Sequence, residues 1–337
     1  MKKLLLATSL LISSFTPLSN AQEVNVYSAR KEELIKPLLE EFETAQKVKV
    51  NLITGKADAL ISRIASEGQF SPADLILTTD VGRLQRAKEM NLLSAVDSEL
   101  LQSKIAANLR DEDGYWFALT MRARPVMYHP DRVKTGELGS ILELADAKWK
   151  GRICIRSSNN IYNQSMVAAM ITKFGEEKVQ NWANGFVKNF ARTPKGGDRD
   201  QIKAVVAGQC DIAIANTYYL AGMLADTDTE NQKIASQLKV HWPDQQGTGT
   251  HVNISGAALL KHAPNSAAAL RLMEFLASDS SQQWYAENNH EYPVVAGVET
   301  SALLKTFGDF KAEDVPLQQV GELNASAIKI MDKAGWK

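Results

Sequence analysis

Cysteine is nearly missing: Cys154 and Cys210 are the only two in 337 residues, too few to make a four-ligand zinc site by themselves. Histidine is scarce too, and the five present, at positions 129, 241, 251, 262 and 290, never take the His-x-x-x-His spacing of a zinc hydrolase helix. No Gly-x-Ser-x-Gly elbow and no phosphate loop occurs, so an exported enzyme has no motif behind it. Neither charge is in surplus. The chain carries 38 Lys+Arg against 39 Asp+Glu, with a pI near 6.6, which argues against nucleic acid as a partner because phosphate binding needs a basic excess. No apolar run reaches the ~20 residues that span a bilayer, and no collagen-like period or long low-complexity tract appears.

What is present is ordinary globular composition, 45% hydrophobic and 23% charged, enough for a large core. The length suggests two domains at roughly 150 residues each. Residues 1–21 read as a cleaved secretory leader: Lys2 and Lys3, an apolar run from Leu4 to Ile12, and Ser19-Asn20-Ala21 with small residues at −3 and −1. No cysteine lies near the cut, which argues against a lipid-anchored form, and the mature chain would carry 36 basic against 39 acidic residues. The expected compartment is the periplasm. In that oxidising space Cys154 and Cys210 are a disulfide candidate.

The mature chain alternates strand and helix. Val24–Tyr27, Val48–Ile53 and Asp74–Thr78 read as strands, separated by amphipathic helices at Glu32–Ala45, Ala57–Glu67 and Arg83–Met90. A second series starts near residue 150. Arg152–Arg156 is a strand; Ser157-Ser158 offers an N-cap to a helix from Tyr162 to Lys173; Asp198 with Gln201 resembles a capping box opening a helix from Gln201 to Ala207; Asp211–Ala215 is the next strand. Phe117–Tyr128 and His251–Leu260 look extended and join the two series. This predicts an α/β fold with largely parallel sheets in two lobes, hinged by extended connections.

Ligands of open α/β sheets sit beyond the carboxyl ends of strands. That points to Tyr27-Ser28-Ala29-Arg30, to Ser157–Tyr162, and to Asn216–Tyr219. Adjacent Tyr218 and Tyr219 suit plain packing on a half-wet rim. They also suit a trivalent, oxygen-preferring cation, which lowers the pKa of its ligands. Two phenolates plus a third, from Tyr162, would cancel a 3+ charge.

The stretches VYSAR (26–30), SSNNIYNQS (157–165), PKGGDRDQIKAVVAGQCDIAIANTYYL (194–220) and HVNISGAALLKHAPNS (251–266) resemble the periplasmic ferric-ion-binding proteins of ABC iron importers. The resemblance covers essentially the whole mature chain. It implies a two-lobe type 2 periplasmic-binding-protein fold with hinge crossovers and a ligand cleft between lobes, the lobes being 22–121 with 251–300 and 122–250 with 301–337. It implies Fe³⁺ held by Tyr162, Tyr218 and Tyr219, no catalysis, and delivery by a monomer to an inner-membrane ABC permease. Some relatives carry a His-Tyr pair directly after the YS-x-R motif; here Lys31-Glu32 follows. All protein ligands then come from one lobe, with carbonate or bicarbonate completing the sphere. Glu32 is an alternative oxygen donor, although a first-turn Glu also suits the helix dipole alone. Arg30 and Arg122 are the anion-binding candidates, because a guanidinium fork pairs bidentately with carbonate. Another small anion or an organic solute, such as a polyamine or sugar phosphate, is the alternative cargo.

Overall fold

The computed structural model describes residues 22–134 and 136–337; the expected leader, 1–21, lies outside them. Among the described residues, nine strands form two sheets. β1 (Glu23–Ser28), β2 (Lys49–Thr54), β3 (Leu75–Thr79), β4 (Phe117–Ala123) and β9 (Val252–Leu259) make one, in the order β2-β1-β3-β9-β4. β5 (Val126–Tyr128), β6 (Ile153–Cys154), β7 (Ile212–Ile214) and β8 (Lys239–His241) make the other, in the order β6-β7-β5-β8. Each anchors one lobe.

The expectation of largely parallel sheets needs correction. β1 runs parallel to β2 and β3, and β6 to β7. β9 is antiparallel to both β3 and β4, and β5 to both β7 and β8. The connecting strands cause this: each returns from the opposite lobe, so it enters its sheet against the direction of the βαβ units. β9 is buried along its whole length, as a central strand should be, and it carries small residues where neighbours press in. A Cβ on Gly256 would lie 2.7 Å from both a Leu84 methyl and the Phe117 carbonyl. Opposite this point β4 bulges between Ala118 and Thr120. The carbonyl of the extra residue, Leu119, accepts from Gln282 Nε2 at 2.8 Å, and the bulge re-aims the Thr120 hydroxyl.

Several local readings shift. The helix expected over Glu32–Ala45 splits into a 3₁₀ turn, Glu32–Leu34, and an α-helix, Lys36–Gln46, because Pro37 is tolerated only in a helix's first turn. Asn160, not Ser157 or Ser158, caps the helix Ile161–Phe174, its side chain accepting from Asn163 N at 3.2 Å. The helix expected from Gln201 starts at Asp198 instead. Its N-cap is Gly197, whose N–H bonds Asp200 at 2.6 Å, so the acidic residue that braces the turn is Asp200 and not Asp198. The strand expected over Arg152–Arg156 pairs only at Ile153–Cys154.

Cys154 and Cys210 are joined, with their Cα atoms 5.9 Å apart. The bridge staples β6 to the turn entering β7, and so braces the platform that ends in Asn216–Tyr219. The lobes connect at β4–β5, with only Arg124 and Pro125 between the strands, and again at Thr250-His251 leading into β9.

Candidate metal centre

Tyr162 is the second residue of the helix Ile161–Phe174; Tyr218 and Tyr219 are the second and third of the helix Thr217–Leu224, which starts just past β7. All three therefore stand in first helical turns, where free N–H groups and the helix dipole favour negative charge. Their rings are half-buried, and those of Tyr218 and Tyr219 lie 4.2 Å apart. The three line one cavity of about 580 Å³ between the lobes.

A buried arginine fixes this shelf. Arg124 donates to Asn216 Oδ1 at 2.9 Å, to Asp198 Oδ1 at 3.4 Å and to Asn163 Oδ1, so one guanidinium ties together the N-termini of three helices. Asp198, fully enclosed, also receives Arg156 at 2.6 Å. Asn216 has the sequence look of an N-cap, yet its side chain caps nothing because it is committed to Arg124.

Arg122 is likewise buried; it donates to the Ile254 carbonyl, and its Cζ lies 5.5 Å from the Tyr162 ring and 5.8 Å from that of Tyr218. Burial works against its charge, but Tyr162, Glu291, Tyr218 and Asp80 outweigh burial and raise its pKa. The converse holds at Tyr162. Burial raises the phenol's pKa, Arg122 and hydrogen bonding with Tyr218 and Thr79 lower it, and the net direction is down. Tyr218 and Tyr219 go up, through burial first and then the neighbouring Tyr162. One phenol is thus prepared to ionise and the other two must be driven.

The opposite wall comes from the N-terminal lobe: Arg30 after β1, Thr79 at the end of β3, and Asn288–Glu291. Arg30 is buried. It donates to Ser255 Oγ at 2.6 Å and Glu291 Oε2 at 2.8 Å, and stacks 5.4 Å from the Tyr285 ring. Glu32 is off the cavity wall and pairs with Lys36 at 2.8 Å on the surface. Thr79, Arg199, His290 and Glu291 are wall residues that sequence reasoning did not assign to the site. Glu291 stands 261 residues from its partner Arg30, and no local motif signals such a pairing.

Among the described residues no group of three His, Cys, Asp or Glu side chains could hold a metal ion. The oxygen donors that converge are phenols, a hard set suited to a hard, highly charged cation and poorly suited to soft ones.

The family model described as bacterial extracellular solute-binding protein matches residues 70–307. The chain is 48% identical over 316 residues to iron uptake protein A1 of Synechocystis, covering 94% of this chain and 88% of the relative. It is 27% identical to the major ferric iron-binding protein of Neisseria meningitidis, covering 94% and 93%. Among solved structures, the Trichodesmium IdiA (FutA) protein in complex with iron and citrate superposes with a TM-score of 0.91 at 48% identity, covering 94% of this chain and 100% of that one. The ferric binding protein from Campylobacter jejuni gives 0.89 at 37%, covering 93% and 100%. With two α/β lobes facing a shared cavity, this chain belongs to the bacterial extracellular solute-binding proteins, within the group that holds the iron uptake and ferric-binding proteins.

Proposed function

We propose that the protein is a periplasmic receptor that captures ferric iron for uptake and hands it to an inner-membrane ABC permease, working as a monomer without catalysis. The observation that carries this reading is the convergence of Tyr162, Tyr218 and Tyr219 on one cavity wall, with buried Arg122 beside two of the rings. Three phenolates neutralise Fe³⁺, and the first-turn positions and Arg122 lower the cost of making them. A carbonate-type anion can join the coordination, with Arg122 in the wall to receive it, while Arg30 already holds Glu291. The names of the relatives support iron as the cargo. Export through a leader at 1–21 fits a chain in which, among the described residues, no helix is long and apolar enough to cross a membrane.

The test is metal analysis by mass spectrometry of the purified protein, followed by ferric titration. Iron loading gives a red or orange chromophore from phenolate-to-iron charge transfer, and Tyr219→Phe keeps the fold while weakening colour and affinity. A wild type that stays colourless with ferric ion and bicarbonate supplied overturns the tyrosine assignment. A bound sugar phosphate or other organic solute without metal would establish the alternative cargo.

A further inference from the structure

Glu291 is 4% exposed and lines the same cavity as the three tyrosines. Among the described residues both hydrogen bonds to its carboxylate end on one oxygen: Oε2 accepts from Arg30 Nη2 at 2.8 Å and from Thr120 Oγ1 at 2.7 Å. Oε1 has none. Unlike the fully enclosed unpaired atoms of the protein, Oε1 keeps accessible surface, and it borders the cavity.

The backbone is shaped to keep it there. Tyr285–Asn289 forms a π-helical turn, a form concentrated at functional sites, and His290 follows in the left-handed region at φ 54°. Tyr292 then exchanges two backbone hydrogen bonds of 2.8 Å with Met121 of β4. The side chain between these constraints is clamped by Thr120, which the β4 bulge aims, and by Arg30, whose other amino group is held by Ser255. Its ion pair with Arg30, 2.8 Å long with both side chains enclosed, balances its charge.

We propose that Glu291 is the N-terminal lobe's own donor to the captured ferric ion, a tethered carboxylate held on Arg30 where an external anion would otherwise dock. This rests on the tyrosine reading above and deepens it. Charge is compatible with the assignment: three phenolates cancel Fe³⁺ and Arg30 cancels Glu291, leaving the single positive charge of Arg122 to attract an optional anion. A carbonate at Arg30 would have to displace a buried ion pair. Carbonate is then an optional partner, read by Arg122.

The experiment is a ferric titration of the full mature chain, with iron delivered from ferric nitrilotriacetate in bicarbonate-free buffer and again with bicarbonate in excess. Iron-induced infrared difference spectra are recorded alongside, because they show a carboxylate passing from free to metal-bound. The wild type is expected to bind with less than about 3-fold dependence on bicarbonate and to show the carboxylate shift. Glu291→Gln is expected to lose about 10- to 100-fold without bicarbonate, the worth of one charged contact, to regain most of it when bicarbonate is added, and to lack the shift. Glu291→Asp, which keeps the charge on a shorter arm, falls between. A wild type that needs bicarbonate as strongly as Glu291→Gln, or that shows no carboxylate shift, overturns the proposal even if that variant fails to fold. Full colour and stoichiometry in Tyr219→Phe would instead sink the tyrosine reading, a separate result.

Discussion

Iron capture by phenols is proton exchange, and the number of protons is countable. A tyrosine with an ordinary pKa near 10 is protonated at neutral pH, and ionising it there costs about 4 kcal/mol per ring. In this cavity burial raises Tyr218 and Tyr219 further, while Arg122 draws Tyr162 down. Ferric binding should therefore release between about two and three protons per iron, and the logarithm of affinity should rise by the same number per pH unit. The sign follows: as pH falls, protons reclaim the phenolates and iron is lost. Tyr219→Phe removes one proton from the exchange. Its affinity should be weaker throughout but should decline less on acidification, by about 100-fold less over two pH units. The assay pairs a competition titration against a chelator of known proton stoichiometry with direct proton release in weakly buffered dye solution, from about pH 6 to 8. Release of fewer than two protons by the wild type, or unchanged release in Tyr219→Phe, refutes the phenolate reasoning.

Three further outcomes are expected. Reducing Cys154–Cys210, or replacing both residues by Ser, opens a loop of 56-residue separation and should cost about 4 kcal/mol on loop-closure entropy; denaturant melts with and without reductant measure it, and coincident melts reject the bridge's contribution. Asp198→Asn withdraws the charge shared by Arg124 and Arg156 and should destabilise by about 3–5 kcal/mol, as for other broken buried pairs, while blurring the iron chromophore; a variant as stable as wild type would show that the shelf does not depend on this cluster. Glu313, enclosed beside His251 and 2.6 Å from Lys173, has its pKa lowered to about 2, since those partners outweigh burial. A carboxylate depressed in the folded state contributes stability above its unfolded pKa and loses it on acidification, here about 3 kcal/mol between about pH 4.5 and 2. Acid titration of Glu313→Gln should lack that window.

Elements with clean periodicity were readable from the chain: Ala57–Glu67 needed nothing but its own apolar spacing. Readings failed where a local rule met a competitor. Pro37 interrupts an apolar pattern that continues through it, and period alone does not register a missing N–H. Ser157 and Ser158 are good caps in the abstract, but Asn160 stands one residue before the helix begins. The tyrosine wall was visible because strand ends and an adjacent aromatic pair are local features. The wall formed by Arg30 with Glu291 was not, since the fold alone brings those residues together. Arg124 stood beside Arg122 in the sequence, with nothing local to tell the clamp on the shelf from the cation over the phenols.

Only Arg124 and Pro125 separate a strand of one lobe from a strand of the other, and the arginines flanking that joint are fastened to opposite sides: Arg122 to Ile254 of β9, Arg124 to the bases of the tyrosine-bearing helices. The joint therefore ties the Arg122 charge to one lobe and the tyrosine shelf to the other. Parting the lobes would change the separation between the Arg122 charge and the Tyr162 ring, now 5.5 Å. Pulling that cation away raises the phenol's appetite for a proton, so a membrane partner that pries the protein open would also switch a ligand toward its non-binding form. On the ferric reading proposed above, the opening that exposes the cargo would also favour its release.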